Sequence, residues 1–174
     1  MTPGRNIFLV GPMGVGKTTI GRLLAAKLHK RFVDLDEEIE RRCGADIPWI
    51  FDVEGEKGFR RRESDLLAEL AADGDLVLST GGGVVLRDEN RHVLRERGFV
   101  VFLNASTEQL YRRTRRDKRR PLLQVEDRRA VIDRLRRERE PLYREVADLV
   151  LEVGGQNSQR ATAELLEKLS DTGF

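Results

Sequence analysis

The sequence has few cysteines, few aromatic residues and no long apolar run, and each shortage excludes a class of protein. Cys43 is the only cysteine among 174 residues, so no internal disulfide can form. Together with His29 and His92, it cannot complete a four-ligand zinc site without carboxylates. The N-terminal apolar run, residues 7–10, is far shorter than a signal-peptide core or the roughly 20 residues that span a bilayer. We therefore expect a cytoplasmic protein with no membrane segment.

The chain also lacks an excess of charge of either sign. Charged residues make up 36% of it, but 32 basic and 30 acidic residues leave a net charge of only +2. With 39% hydrophobic residues, such a chain is not a disordered polyelectrolyte, and it presents no broad electrostatic field to nucleic acid or a membrane surface. The basic run at residues 112–120 has no interleaved aromatic side chains, so nucleic acid is not an expected partner.

Short apolar runs alternate with longer segments of helical period. Five runs are typical of strands buried on both faces of a parallel sheet, and they are residues 6–10, 32–35, 76–80, 99–103 and 149–153. Residues 18–30, 63–72 and 158–169 carry apolar side chains at helical spacing. This alternation predicts a three-layer α/β/α fold, and the length fits a single domain over residues 1–174.

Two charged regions interrupt this alternation, residues 39–62 and residues 112–127. Each is too long for a simple connection between a strand and a helix. Loops of this length are usually functional. We therefore expect each region to be an insertion or a lid.

The most specific motif is a glycine-rich loop after the first predicted strand. Residues 11–18 read GPMGVGKT and match the pattern G-x-x-x-x-G-K-[ST] in full, with a helical segment directly behind them. In such a loop the backbone N–H groups and the helix N-terminus face phosphate oxygens. Lys17 is then placed over the β- and γ-phosphates and the Thr18 hydroxyl suits Mg²⁺, whereas Thr19 either contacts the α-phosphate or only begins the helix. The motif predicts nucleoside triphosphate binding and leaves GTPase, ATPase and kinase activities open.

Polar residues and glycines follow the second and third predicted strands. Asp34 and Asp36 stand two residues apart in FVDLD, so we expect both to project from one strand face at the carboxyl end of the sheet. There, one carboxylate would hold a water on Mg²⁺ and the other would take a hydroxyl proton; the alternative is that they only cap the helix starting near Glu37. Arg60, in GFRRRE, suits a carboxylate or phosphate ligand. Residues 81–83, three glycines, either let a ligand approach the backbone or form only a flexible turn.

Taken together, these segments resemble the shikimate kinase family, in the nucleoside-monophosphate-kinase-like group of P-loop proteins. The likeness covers nearly the whole chain and is carried by NIFLVGPMGVGKTTIGRLLA, DLDEEIE, GADIPWIFDVEGEKGFRRRE, TGGGVV, TRRDKRRPLL and EREPLYREVAD. It implies ATP-dependent phosphorylation of the 3-hydroxyl of shikimate, on the route to chorismate and the aromatic amino acids. It also implies a five-stranded parallel sheet of order 2-3-1-4-5, a Mg²⁺ cofactor, a monomer, a substrate-binding region at about residues 33–61 and a lid at about residues 112–126.

On the acceptor side, the resemblance assigns a role to each matching residue. Asp36 resembles the residue that binds the shikimate hydroxyls beside the reacting one. Arg60 and Arg139 resemble the two arginines on the shikimate carboxylate. The glycine wall of the family matches Gly81, Gly82 and Gly83, with Gly82 as the backbone donor.

On the nucleotide side, Asp36, Lys17 and Arg120 form the implied catalytic set, because Arg120 resembles the lid arginine that reaches the transferred phosphate. Thr18 and, through water, Asp34 are the implied metal ligands. The implied ATP-binding residues are Gly14, Val15, Gly16, Lys17, Thr18, Thr19, Arg113 along the adenine base, Arg120 and Gln156.

Two other functions stay open on sequence alone. Another small-molecule kinase of the same fold, such as a gluconate kinase, would share the phosphate loop. The paired arginines Arg60 and Arg139 with the triple glycine favour shikimate over that substrate. A non-enzymatic binding or regulatory module would bind ATP without acceptor-stimulated turnover.

Overall fold

A computed structural model describes residues 4–115, 123 and 125–174. Its strands are β1 (Asn6–Val10), β2 (Arg31–Asp34), β3 (Leu76–Ser79), β4 (Gly98–Asn104) and β5 (Leu149–Glu152). The helices described are α1 (Lys17–Leu28), α2 (Leu35–Cys43), α3 (Ile47–Asp73), α4 (Asp88–Arg97), α5 (Thr107–Thr114), α6 (Arg128–Val146) and α7 (Ser158–Asp171), with a short 3₁₀ turn at Val84–Leu86. The strands form one parallel sheet of order β2-β3-β1-β4-β5, which confirms the expected topology.

Alternate residues of the central strands enter two separate cores. In β1, Ile7 and Leu9 pack with residues of α1, α5 and α7, whereas Phe8 and Val10 pack with residues of α2, α3 and α4. The sheet is therefore the middle of three layers, because successive strand side chains point to opposite faces. β1, β3 and β4 are buried along their length. β2 and β5 are more exposed than predicted, since each is an edge strand with a neighbour on one side only.

The charged region at residues 39–62 is largely helical, and the helix predicted at residues 63–72 is the end of a longer one. The side chain of Asp34 caps α2 and that of Asp46 caps α3. α3 spans 27 residues, with its helical geometry interrupted at Gly55, where φ is 73°. Apolar periodicity misses its first half because Trp49 and Val53 there are 49% and 61% exposed.

The strand register positions the functional site. Ser79 of β3 lies between Leu9 of β1 and Asp34 of β2. The segments that follow these three residues therefore meet at the carboxyl edge of the sheet; they are the phosphate loop, the three glycines and the first turn of α2. Among the residues that the structure describes, no helix is both long enough and apolar enough to cross a membrane.

Candidate functional site

A cleft of ≈ 480 Å³ opens at the carboxyl ends of β1, β2 and β3. This is the edge at which open α/β sheets bind their ligands. It brings together most of the residues predicted from sequence. Those that line it are Gly14, Gly16, Lys17, Thr18, Thr19, Asp34, Asp36, Arg60, Gly81, Gly82, Gly83 and Arg139.

The phosphate loop is curled in the way its glycines allow. Gly14 and Gly16 have φ values of 83° and 104°, a region that costs other residues free energy because of the clash of Cβ with the backbone. Lys17 lies across this loop, where its Nζ donates to the carbonyl oxygens of Gly11 at 2.7 Å and Pro12 at 2.9 Å. A cation and a helix N-terminus thus converge at one end of the cleft, which suits a polyphosphate.

Three residues predicted for the nucleotide site are not in the cleft lining. Val15 packs its side chain into the core, and its carbonyl accepts a hydrogen bond from Arg113 at 2.8 Å. Arg113 also donates to the carbonyl of Gly154 at 3.5 Å, and the side chain of Gln156 accepts from the N–H of Gly154 at 2.7 Å. Arg113 therefore joins the phosphate loop to the loop after β5. Arg120, the predicted lid arginine, lies outside the described residues.

Thr18 and Asp34 form a hydroxyl–carboxylate pair beside the loop. Thr18 Oγ1 donates to Asp34 Oδ2 at 2.5 Å, while Asp34 Oδ1 accepts from the N–H of Glu37 at 2.9 Å. Asp34 thus caps α2 and still faces Thr18. Mg²⁺ is usually held by one or two protein oxygens together with waters and phosphates, so this donor set fits it. No group of three potential metal-binding acidic, cysteine or histidine residues occurs within the described ranges.

Asp36 lines the cleft from a helix, whereas the sequence pattern predicted that it projects from a strand. β2 ends at Asp34, and Asp36 lies in the first turn of α2. The expectation that both carboxylates project from one strand face is therefore wrong, because Asp34 caps α2 and the helix begins at Leu35, two residues before Glu37. A Cβ built on Gly81 would lie 2.9 Å from Asp36 Oδ1 and 3.0 Å from Glu63 Oε2, so both carboxylates crowd this glycine.

The three glycines are needed for space and not for unusual torsion angles. None of Gly81, Gly82 and Gly83 has a positive φ. A Cβ on Gly82 would lie 3.4 Å from Arg139 Nη1, and one on Gly83 would lie 2.3–2.4 Å from the Arg60 guanidinium. A flexible turn does not account for this crowding. The missing β-carbons let two arginines and two carboxylates approach the backbone.

In the backbone of the glycine segment, the carbonyl oxygens and the N–H groups differ in their hydrogen bonding. The Gly81 carbonyl accepts from the N–H of Val84 at 3.2 Å, and the Gly83 carbonyl accepts from that of Leu86 at 3.1 Å. In the described part of the chain, none of the three glycine N–H groups donates to a backbone carbonyl. Backbone hydrogen bonding in this segment thus involves the carbonyls of Gly81 and Gly83.

Sequence reasoning missed two buried residues at the acceptor end of the cleft, Glu63 and Tyr143. Glu63 is fully buried and accepts from Arg60 Nη1 at 2.9 Å. Burial raises the pKa of Glu63, and the neighbouring guanidiniums of Arg60 and Arg139 oppose that rise. Helical spacing carried the signal, because Glu63 follows Arg60 by three residues and Tyr143 follows Arg139 by four.

The acceptor end also holds polar atoms that the protein itself does not satisfy. Within the described ranges, Arg60 Nε, Glu63 Oε2 and Arg139 Nε are buried without a hydrogen-bond partner. Burying such atoms unpaired costs about 1–3 kcal/mol each. Arg60 and Arg139 are only 8% and 4% exposed. A cluster of this kind indicates a site shaped for a polar, anionic ligand.

Comparison with known proteins agrees with this geometry. The family model described as shikimate kinase matches residues 13–170. A shikimate kinase from Pseudomonas paraeruginosa is 55% identical over 94% of this chain and 95% of its own length. One from Pseudoalteromonas translucida is 54% identical over 97% of this chain and 99% of its own length.

A solved structure gives the same result in three dimensions. Shikimate kinase from Acinetobacter baumannii in complex with shikimate superposes with a TM-score of 0.95 at 48% identity, covering 97% of this chain and 94% of that one. The fold and the activity expected from the sequence motifs are thereby confirmed. The chain belongs to the shikimate kinase family, and it is accordingly an ATP-dependent kinase that acts on shikimate.

Proposed function

We propose that the protein transfers the γ-phosphoryl group of Mg-ATP to the 3-hydroxyl of shikimate, giving shikimate 3-phosphate and ADP. The observation that carries this proposal is a single cleft with a phosphate loop at one end and two buried arginines at the other. Shikimate is an anionic triol, so its carboxylate needs cationic donors and its hydroxyls need acceptors. The protein's contribution to phosphoryl transfer is mainly to position the reactants and to stabilise the charge of the transition state.

Arg60 and Arg139 bind the shikimate carboxylate in this proposal. Both guanidiniums are buried, and each has an Nε without a partner in the described part of the chain. Glu63 is the hydrogen-bond partner of Arg60, and burial raises its pKa while the guanidiniums of Arg60 and Arg139 oppose that rise. Two guanidiniums face this one buried carboxylate, so they can also bind an anionic acceptor.

Asp36 binds the 3-hydroxyl and is the acceptor for its proton. Its carboxylate lies against Gly81 and lines the same cleft as the two arginines and the phosphate loop. The N–H of Gly82 is the proposed backbone donor to the acceptor. Because the transition state is loose, orienting the attacking oxygen matters more than removing its proton early.

At the nucleotide end, Lys17 and the N–H groups of Gly14, Val15 and Gly16 hold the phosphates. Thr18 and, through water, Asp34 hold Mg²⁺, which neutralises charge on the β- and γ-phosphates when bound. The remaining nucleotide contacts are proposed for Thr19, Arg113, Gln156 and, from a lid at about residues 112–126, Arg120. We also propose that one domain over residues 1–174 acts as a monomer in the cytoplasm.

A coupled assay for ADP, with and without shikimate, tests this function. We expect ADP release to depend on both shikimate and Mg²⁺, and the product to carry its phosphate on the 3-oxygen, as read by phosphorus–proton correlation. Gluconate and other polyols serve as controls for acceptor choice. ATP binding without shikimate-stimulated ADP release would refute the proposal and favour a nucleotide-dependent binding module.

A further inference from the structure

Tyr143 supplies a buried phenol behind the acceptor end of the cleft. Its side chain is 1% exposed, and its ring packs on that of Phe102 with the centroids 5.1 Å apart. Its hydroxyl donates to the carbonyl oxygen of Gly82 at 2.5 Å. Burial raises the pKa of Tyr143 to about 12, so the phenol keeps its proton, and hence its donor, throughout the neutral pH range.

The carbonyl of Gly82 differs from its two neighbours in how it is satisfied. The carbonyls of Gly81 and Gly83 accept from backbone N–H groups of the following turn. Gly82 instead depends on a side chain from α6, a helix distant in sequence. Because a peptide bond is planar, holding the Gly82 carbonyl also fixes the direction of the Gly83 N–H.

Arg139 lies one helical turn before Tyr143 on α6, so both side chains approach the same glycine. The Arg139 Nη1 is 3.4 Å from the position of a Cβ on Gly82, and the Arg139 guanidinium opposes the rise in the pKa of Tyr143. Gly82 is therefore held by one residue of α6, Tyr143, and approached by another, the proposed carboxylate-binding Arg139.

We propose that Tyr143 is a positioning residue, whose hydroxyl holds the Gly82–Gly83 peptide in one orientation beside the Arg139 guanidinium for the acceptor. The inference rests on the proposed function, since it concerns how that site holds shikimate. It assigns Tyr143 an effect on acceptor binding and none on the nucleotide, because the hydrogen bond that the phenol donates goes to Gly82, outside the phosphate loop.

Removing the hydroxyl alone tests the inference. In Tyr143→Phe we expect the KM for shikimate to rise by roughly tenfold, because a Gly82–Gly83 peptide that is no longer held must be ordered when the acceptor binds, while the KM for ATP stays within about twofold. Tyr111→Phe is the matched control. Tyr111 is the other tyrosine of the chain and packs partly buried against the opposite core, so its variant should keep both KM values.

A double-mutant cycle adds a measurement that would not change if Tyr143 only stabilised the fold. Tyr143→Phe and Arg139→Lys, alone and together, should give non-additive losses in shikimate affinity, since both side chains meet at Gly82. Additive losses would contradict the shared role. So would an unchanged shikimate KM in Tyr143→Phe, or a lower melting temperature with neither KM altered.

The comparison of KM values between wild type and Tyr143→Phe remains valid if part of the variant protein is unfolded, because KM does not depend on the amount of active enzyme. A Tyr143→Phe chain that does not fold at all would make the phenol a determinant of stability, which contradicts the proposal. Shikimate binding by calorimetry separates the two hypotheses. Wild-type protein that binds shikimate but releases no ADP counts against the proposed function alone, whereas binding that Tyr143→Phe does not weaken, or no binding by either chain, overturns the positioning role.

Discussion

The guanidinium of Arg60 occupies the space that a β-carbon on Gly83 would need. Such a carbon would lie 2.3 Å from Nη2 of Arg60, closer than any real contact. Gly83 has a φ of −96°, which every residue can adopt. What Gly83 provides is therefore room for Arg60 and not conformational freedom.

Replacing Gly83 by alanine should displace Arg60 and weaken acceptor binding. The new methyl group overlaps charged atoms held by a buried partner, so we expect the KM for shikimate to rise by roughly tenfold, in line with the usual cost of overpacking. Steady-state kinetics with each substrate varied will measure it. Gly155→Ala is the control, since a Cβ there meets nothing within 4 Å. Equal effects of the two substitutions would contradict the steric argument.

Arg60→Ala should raise the KM for shikimate by about tenfold to a hundredfold, because it removes one of the two proposed partners of the carboxylate. The KM for ATP should change little. Arg61→Ala is a matched control from the next position of α3, where the side chain is exposed and does not line the cleft. If Arg60→Ala leaves the shikimate KM unchanged, Arg60 does not bind the carboxylate.

The phosphate loop was predictable from sequence because its parts are contiguous. Residues 11–18 carry both the glycines that curl the loop and the residues that face phosphate, and a strand precedes them as a helix follows. The sheet was predictable for a similar reason, since each buried strand is an unbroken apolar run. Arg139 was recognisable only because the segment around it resembles a known family, and the same resemblance gave Arg60, already a candidate for an anionic ligand, its expected role on the shikimate carboxylate.

The remaining features depend on contacts between distant segments. Asp34 ends β2 and caps α2, which places Asp36 on a helix; the sequence offered a helix cap here only as the alternative to a strand position. The first half of α3 has exposed Trp49 and Val53 where a periodic apolar face would be expected. Helical spacing places Glu63 and Tyr143 beside the two predicted arginines, but only the fold shows that they lie against the glycine segment.

Asp36→Asn should lower kcat far more than it changes ATP affinity. An amide keeps the shape of the side chain but cannot take the hydroxyl proton, and losses of about 10²–10⁴-fold are typical when such a group is removed. Asp52→Asn, an exposed aspartate of α3, should leave kcat unchanged. Parallel losses in kcat and in ATP affinity would argue that Asp36 acts on the nucleotide instead.

Asp34→Asn separates the role of Asp34 as the cap of α2 from its proposed role as a Mg²⁺ ligand through water. Asparagine caps helices about as well as aspartate, so the melting temperature should be nearly unchanged. The lost negative charge should raise the Mg²⁺ concentration for half-maximal ADP formation by roughly tenfold, since hydrogen bonds to charged acceptors are the strong ones. Asp46→Asn changes the cap of α3 in the same way, outside the cleft lining. An unaltered Mg²⁺ requirement would leave Asp34 as a helix cap only.

Glu63→Gln should change how stability depends on pH. Burial raises the pKa of Glu63 above the ordinary value of 4.5, against the opposing guanidiniums of Arg60, Arg139 and Arg87. At pH values between 4.5, the pKa in the unfolded chain, and the higher pKa in the folded protein, the folded protein holds a proton that the unfolded chain has lost. The free energy of unfolding of the wild type therefore falls as pH rises through this window, by up to about 1.4 kcal/mol per pH unit. Below pH 4.5 the stabilisation that comes from protonated Glu63 is fully present.

Glutamine cannot titrate, so the free energy of unfolding of Glu63→Gln minus that of the wild type should increase as pH rises from 4.5 towards 8. Urea unfolding at several pH values measures this difference. Glu167→Gln, at an exposed position of α7, should give a nearly flat difference over the same range. A flat difference for Glu63→Gln as well would mean that the charge of Arg60 fully offsets the burial of Glu63, and Glu63 would then carry a full negative charge beside the acceptor.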